Sequence, residues 1–213
     1  LKQNKIFYKL TDRSVSDTFR IMTTDKRQKI LNEALELFSE FGFSHVSINM
    51  IAKQAGVTKS LIFHHFNNKE QLWNEVKDSY FSQYADAQLS LFEQEKDPIE
   101  LIKKSMRSYF YFIQKHPQVA KFFAYAHLEG DESCGEMDKP LIERGAELIK
   151  AAQQKGLMRK EFNPAVLVMS FLTTINQYFI ASCHYSQWDS NLYTDPDSFI
   201  NELIDLTILG VKP

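Results

Sequence analysis

Apolar residues recur at three- and four-residue spacing along most of the chain, and no stretch reads as a convincing strand. Ile30, Leu31, Ala34, Leu37, Phe38 and Phe41 form one stripe, the mark of a helix with a single buried face. Thr24 or Asp25 can cap its start, and Gly42 is placed to end it. A short helix is predicted from about Ser47 to Gln54, broken by Gly56. Another runs from Thr58 to His65 or Phe66. After the Asn67-Asn68 turn pair, a long helix is expected from Lys69 to about Gln94.

Asp97-Pro98 then opens a helix with proline in its first turn. It carries Ile99, Ile102, Met106, Tyr109, Phe110 and Ile113 and stops at His116-Pro117. Pro117 to Glu129 predicts the next. The stretch Gly130 to Lys139 reads as a polar, acidic loop, and Cys134 in it as a solvent-facing thiol. Further helices are expected over Pro140–Lys155, Pro164–His184 and Asp197–Val211, with Ser186–Pro196 a loop. The sum is an all-α chain of about nine helices, without internal repeats or low-complexity tracts.

Composition agrees: 7 Gly and 6 Pro are too few turn formers for many short strands in 213 residues. That length allows at most two ordinary domains. Residues 1–24 lack a clean period and read as an N-terminal arm or tail. Met22 looks like a natural start, so residues 1–21 are either a basic arm or foreign to the functional protein. Residues 25–70 and 71–213 are the two expected domains. No apolar run predicts a membrane span or an export signal. Two distant cysteines without a C-x-x-C motif suit a reducing compartment, and a cytoplasmic location is expected.

The net charge of −2 hides an asymmetry. Residues 1–24 hold five Lys/Arg and two Asp (+3), and residues 25–70 hold six basic and five acidic residues (+1). Residues 71–213 hold fourteen basic and twenty acidic ones (−6). A chain that touches polyanions with its front end has this distribution.

Ser47–Phe66, SINMIAKQAGVTKSLIFHHF, fits a helix-turn-helix. Ala52 is small where two helices cross closely. Gly56 tolerates the positive φ of a tight turn. Ile51, Val57 and Ile62 are apolar pegs, and Thr58 caps the second helix, so that Lys59 can approach a phosphate or a base edge. With its flanks, LFSEFGFSHVSINMIAKQAGVTKSLIFHHFNNKEQL resembles the N-terminal domain of the tetracycline-repressor (TetR) family of transcriptional regulators. The resemblance rests on Phe41-Gly42, Ser47, the I-A-x-x-A-G-V core from Ile51 to Val57, Phe63-His64-His65-Phe66, and N-K-E-x-L from Asn68 to Leu72. It is close over residues 25–75 and generic beyond.

The resemblance implies a fold and roles. It implies an N-terminal three-helix DNA-binding domain and a C-terminal helical domain for ligand binding and dimerisation. It assigns DNA contacts to Ser47, Asn49, Thr58, Lys59, Ser60, Phe63, His64 and Lys69, although Phe63 lacks the hydroxyl of the tyrosine usual there. It implies an effector cavity among the middle helices, for which Met106, Tyr109, Phe110, Phe123, His127, Asn176 and Phe179 are candidates. A small hydrophobic or aromatic effector fits those side chains. The wide apolar arcs of Pro164–His184 and Asp197–Val211 suit a homodimer. The function expected is thus a homodimeric repressor that binds a palindromic double-stranded DNA operator and is released by a small-molecule effector. Two alternatives stay open: a small-molecule binding protein whose DNA head has decayed, and an effector-independent DNA-organising protein of the same fold. No phosphate-binding loop, nucleophile elbow or paired carboxylates point to catalysis. His64-His65 point about 100° apart on a helix and cannot readily share an ion. No cofactor, metal or membrane partner is expected.

Overall fold

The computed structural model describes the backbone of residues 11–213 and the side chains of residues 25–213. Its helices are α1 (Thr11–His45), α2 (Ile48–Ala55), α3 (Lys59–His65), α4 (Lys69–Gln94), α5 (Pro98–Lys115), α6 (Pro117–Leu128), α7 (Ser133–Gln154), α8 (Pro164–Ile180), α9 (Ser182–Tyr185) and α10 (Pro196–Val211), with a 3₁₀ turn at Ser190–Tyr193. No strand occurs among the described residues. The described residues up to Lys77 form one compact unit and Asp78–Pro213 a second.

Local chemistry sets most boundaries. Proline stands first in α5, α6, α8 and α10, where a missing N–H costs no helical bond. Asp97, Asn163 and Asp195 cap three of these helices through their side-chain oxygens. Gly42 adopts φ 75°, ψ 173° and interrupts α1, a conformation open to glycine alone. The expected stop therefore falls where the sequence places it. The start does not: the backbone is already helical from Thr11, so positions 24 and 25 lie inside the helix and not at its start. No glycine or proline lies between Thr11 and Phe41 to halt the helix. Of the arm expected over residues 1–24, residues 1–10 lie outside the described residues.

Three further expectations are corrected. The acidic loop of Gly130–Lys139 is mostly helix, because α7 begins at Ser133 and carries Pro140 inside it. The Asp131 carboxylate accepts from the Ser133 N–H at 3.1 Å and so starts the helix early. The loop was to expose Cys134, yet Cys134 is only 4% exposed and Leu141 is buried on the same face. Burying that stripe outweighs the one backbone bond that Pro140 forfeits. The helix expected over Pro164–His184 breaks at Ala181 (φ −106°, ψ 24°) into α8 and α9. There the Tyr193 hydroxyl donates to the Tyr178 carbonyl at 3.0 Å, and the Tyr178 hydroxyl donates to the Leu192 carbonyl at 3.2 Å. These bonds fold the connector back on the end of α8.

In the first unit the stripe of α1 is buried as its spacing requires: Ile30, Leu31, Ala34 and Phe38 are solvent-free, as are Ile51, Ala55, Ile62 and Phe66. Trp73 closes this core edge-on to Phe38, their ring centres 5.0 Å apart. The second unit centres on a cluster contributed by α5, α7, α8 and α10, including Met106, Phe110, Phe171, Ile175, Ile200 and Ile204.

Candidate nucleic-acid interface and interior cavity

α2 and α3 are joined by a turn of two residues between Ala55 and Thr58. Gly56 takes the left-handed conformation there, φ 63°, ψ 37°. The Val57 N–H donates back to the Ala52 carbonyl at 3.0 Å and locks the turn. Ser47 Oγ accepts from the Met50 N–H at 3.3 Å. Thr58 Oγ1 accepts from the Leu61 N–H at 3.2 Å. Each hydroxyl thus satisfies one orphan donor of its helix and keeps its own O–H to give elsewhere.

The two faces of α3 differ. Ile62 within it and Phe66 at its end are wholly buried. Thr58, Lys59, Ser60 and His64 are exposed, and Phe63 is 41% exposed. Lys59 Nζ lies 5.6 Å from the centre of the Phe63 ring. The ring therefore offers an apolar platform beside a cation instead of a hydroxyl. Ser47 and Asn49 at the start of α2 are exposed as well. Apolar anchors on one face thus hold outward a helix N-terminus, a lysine and two hydroxyls, groups suited to phosphate oxygens and base edges.

Lys69 is placed differently from the other proposed DNA contacts. Its ammonium donates to the Phe43 carbonyl at 2.9 Å and to the Val46 carbonyl at 3.0 Å, and lies 4.0 Å from the centre of the Phe43 ring. Two of its three N–H groups are spent inside the unit, tying the first residue of α4 to the end of α1. Nearby, Arg27 pairs with Glu75 and lies over the Phe66 ring at 5.3 Å. His65 is half-buried with its Nε2 lacking a hydrogen-bond partner. Burial, then the neighbouring His64 and Arg27, push its pKa below the usual imidazole value. It is a packing histidine whose charged form is disfavoured.

The second unit holds a cavity of about 450 Å³, within the range of small-molecule sites. Tyr109, Phe123, His127 and Asn176 line it. Met106, Phe110 and Phe179 do not: Met106 and Phe110 are solvent-free members of the core cluster and Phe179 packs against it. They lie on the faces of α5 and α8 turned into the bundle. Sequence reasoning missed Tyr80, Tyr84, Phe112 and the α7 residues Cys134, Met137 and Asp138, all of which line the cavity. The signal was available in the spacing of Cys134, Met137, Asp138, Leu141 and Ile142, a helical stripe hidden by reading Pro140 as a helix start.

The polar groups of the cavity are few. The Tyr109 hydroxyl donates to Asn176 Oδ1 at 2.8 Å. Burial pushes the Tyr84 and Tyr109 phenols far above their usual value, so both stay neutral. Burial also raises the Asp138 carboxyl, opposed by the nearby His127. Cys183, unlike Cys134, is exposed. Among the described residues no helix is long and apolar enough to cross a membrane.

Residues 30–76 match the sequence profile of the family described as bacterial regulatory proteins, tetR family. The chain is similar to the HTH-type transcriptional regulator RutR of Escherichia coli K12, 28% identical over 158 residues, which cover 72% of this chain and 73% of that protein. Its fold is similar to the crystal structure of a TetR family transcription regulator from Marinobacter aquaeolei VT8, with a TM-score of 0.72, 20% identity, and coverage of 91% of this chain and 98% of that one. It is also similar to AibR in complex with isovaleryl coenzyme A and operator DNA, with a TM-score of 0.68, 21% identity, and coverage of 85% and 97%. The matched segment contains both α2 and α3 with their caps, the left-handed Gly56 and the buried Ile62 and Phe66. On these grounds residues 30–76 carry the sequence of the bacterial regulatory proteins of the tetR family, and the rest of the chain shares the fold of solved members.

Proposed function

We propose that this chain is a ligand-responsive repressor that binds a palindromic operator as a homodimer and leaves it when a small molecule fills the cavity of the second unit. One observation carries the DNA half of the reading: the exposed first turn of α3, with Thr58, Lys59 and Ser60 outward and Ile62 and Phe66 anchored. Ser47, Asn49, Phe63 and His64 extend that surface, and Lys69 supports it from behind. The ligand half rests on the cavity, whose lining includes Tyr109, Phe123, His127 and Asn176. The AibR complex shows that one protein of this fold holds a small molecule together with operator DNA.

Pairing of two copies is supported by α8 and α10. Each buries one face, Val168, Phe171 and Ile175 on α8 and Ile200, Ile204 and Ile208 on α10. Each also leaves apolar side chains outside: Met169 is 58% exposed, Leu206 69% and Leu209 73%. Two such helices from each subunit build a four-helix interface. Coupling runs through α4, whose residues Tyr80 and Tyr84 line the cavity and whose first residue is Lys69. A ligand that shifts α4 alters the head it begins in, and by linkage DNA weakens the ligand by the same factor.

The test is selection of duplexes from a random library by the purified chain, followed by affinity measurements at several salt concentrations. A recovered motif with two-fold symmetry is expected, its half-sites about one helical turn or more apart. Failure to enrich any motif refutes the reading and favours a ligand-binding protein without an operator.

A further inference from the structure

The cavity has one charged acidic group and no basic chain of lasting charge. Among the described residues, no lysine or arginine lines it, and Asp138 is its single carboxylate. Around that carboxylate the walls are aromatic: Tyr80 and Tyr84 from α4, Tyr109 and Phe112 from α5, Phe123 from α6. Tyr84 and Tyr109 meet edge to face at 5.0 Å, and Phe112 lies 5.7 Å from Tyr84. Ring faces present negative charge density, so such walls attract a cation and repel an anion.

The available donors reinforce this bias. The Tyr109 hydroxyl has already given its hydrogen to Asn176 Oδ1. A carboxylate or phosphate entering here would meet aromatic faces and the Asp138 carboxyl, with the His127 ring and the Asn176 amide as the main donors and no lysine or arginine to compensate. An ammonium would meet a carboxyl whose charged form burial disfavours and His127 already supports in part, and would favour that charged form further.

We propose that the cavity takes a lipophilic cation, an amine or quaternary ammonium on an apolar body, with the charged head against Asp138 and the head and body walled by Tyr84, Tyr109, Phe112 and Phe123. This rests on the reading of the cavity as the effector site and adds the charge and class of the effector. Asp138 is the residue that sets specificity. The apolar body lies along the Met137, Leu141 and Leu172 side of the lining.

The experiment uses three probes of one chain length, dodecyltrimethylammonium, dodecanol and dodecanoate, each below its aggregation concentration. Binding to the full chain is measured by titration calorimetry, with and without the selected operator. The wild type should bind the cation roughly 10–100-fold more tightly than the other two, the factor carried by one contact to a charged group. Asp138→Asn should erase that preference and leave dodecanol within about twofold of wild type. Asn is isosteric and removes a half-buried charge; an unchanged melting transition or a higher one verifies the fold, and Asp138→Glu serves as a second variant that should keep the preference for the cation. Tighter binding of dodecanol or dodecanoate than of the cation, with the operator released, overturns the ligand class and leaves the proposed function standing. Cation binding that depends on Asp138 but leaves operator affinity unchanged overturns the proposed function and leaves the ligand class standing. Absence of binding by all three overturns the inference.

Discussion

Replacing Lys69 with methionine separates two roles that a lysine in this position can play. Methionine keeps an unbranched apolar stem and removes only the ammonium. The ammonium makes two hydrogen bonds, to the Phe43 and Val46 carbonyls at 2.9 and 3.0 Å, and sits 4.0 Å from the Phe43 ring centre. Hydrogen bonds to charged groups contribute roughly 1.5–3 kcal/mol each when sheltered. Lys69 is half-buried, and water replaces part of what is lost, so the pair contributes about 2 kcal/mol after that discount. The cation over the ring adds roughly 0.5–1 kcal/mol. For a unit of this size, a loss of about 2–3 kcal/mol lowers the midpoint of thermal unfolding by roughly 10–20 °C. Trp73 is a suitable reporter, because its ring packs edge-on to both Phe38 and Phe43 and the other tryptophan, Trp188, is 72% exposed. Fluorescence melting should therefore show the shift, while the slope of log affinity for DNA against log salt stays at the wild-type value. A variant with an unshifted melt and a slope reduced by about 0.9, the value of one lost phosphate contact, would show that Lys69 serves DNA and not the fold.

The opposite pattern is expected of Lys59→Ala: an unchanged Trp73 melt, weaker operator binding, and a salt slope reduced by about 0.9 if the contact is to phosphate, read by gel shift at several salt concentrations. Leu206→Glu combined with Leu209→Glu should yield a monomer in sedimentation velocity, with far-ultraviolet circular dichroism preserved, because both side chains are outside the core; a dimer that persists refutes the α10 interface. Asp138→Asn should raise thermal stability at neutral pH. The folded state holds the Asp138 pKa above its ordinary 3.8, so ionisation opposes folding: the penalty is absent below the unfolded value and grows as pH rises through the raised folded one. Melting temperatures of the two proteins should accordingly converge near pH 3 and separate toward pH 7, and a constant difference across that range contradicts the assignment.

The helix-turn-helix was legible because its determinants are local. Ser47, Gly56 and Thr58 act on backbone groups within five residues of themselves, and the apolar pegs recur at helical spacing. Lys69 shows the limit of that reading: its partners lie 23 and 26 residues away in sequence, and no pattern signals them. The cavity was half legible for a similar reason. Residue type marks Met106, Tyr109, Phe110 and Phe112 equally as interior, but about 100° of rotation per residue sends Phe110 into the core and Tyr109 and Phe112 to the ligand space. The α7 wall was hidden by propensity. Pro140 and two glycines argue for a loop, and only the packed stripe from Cys134 to Ile142 overrides them.

Pro140 has one more effect on the wall that carries Asp138. A proline well inside a helix leaves a carbonyl one turn earlier without its amide partner, so the segment from Ser133 to Lys139 lacks one of the bonds that would stitch it to the rest of α7. Local opening favours the weakest stitching. The carboxylate proposed to select a guest thus stands two residues before the proline, on the stretch of the wall whose backbone ladder is a bond short.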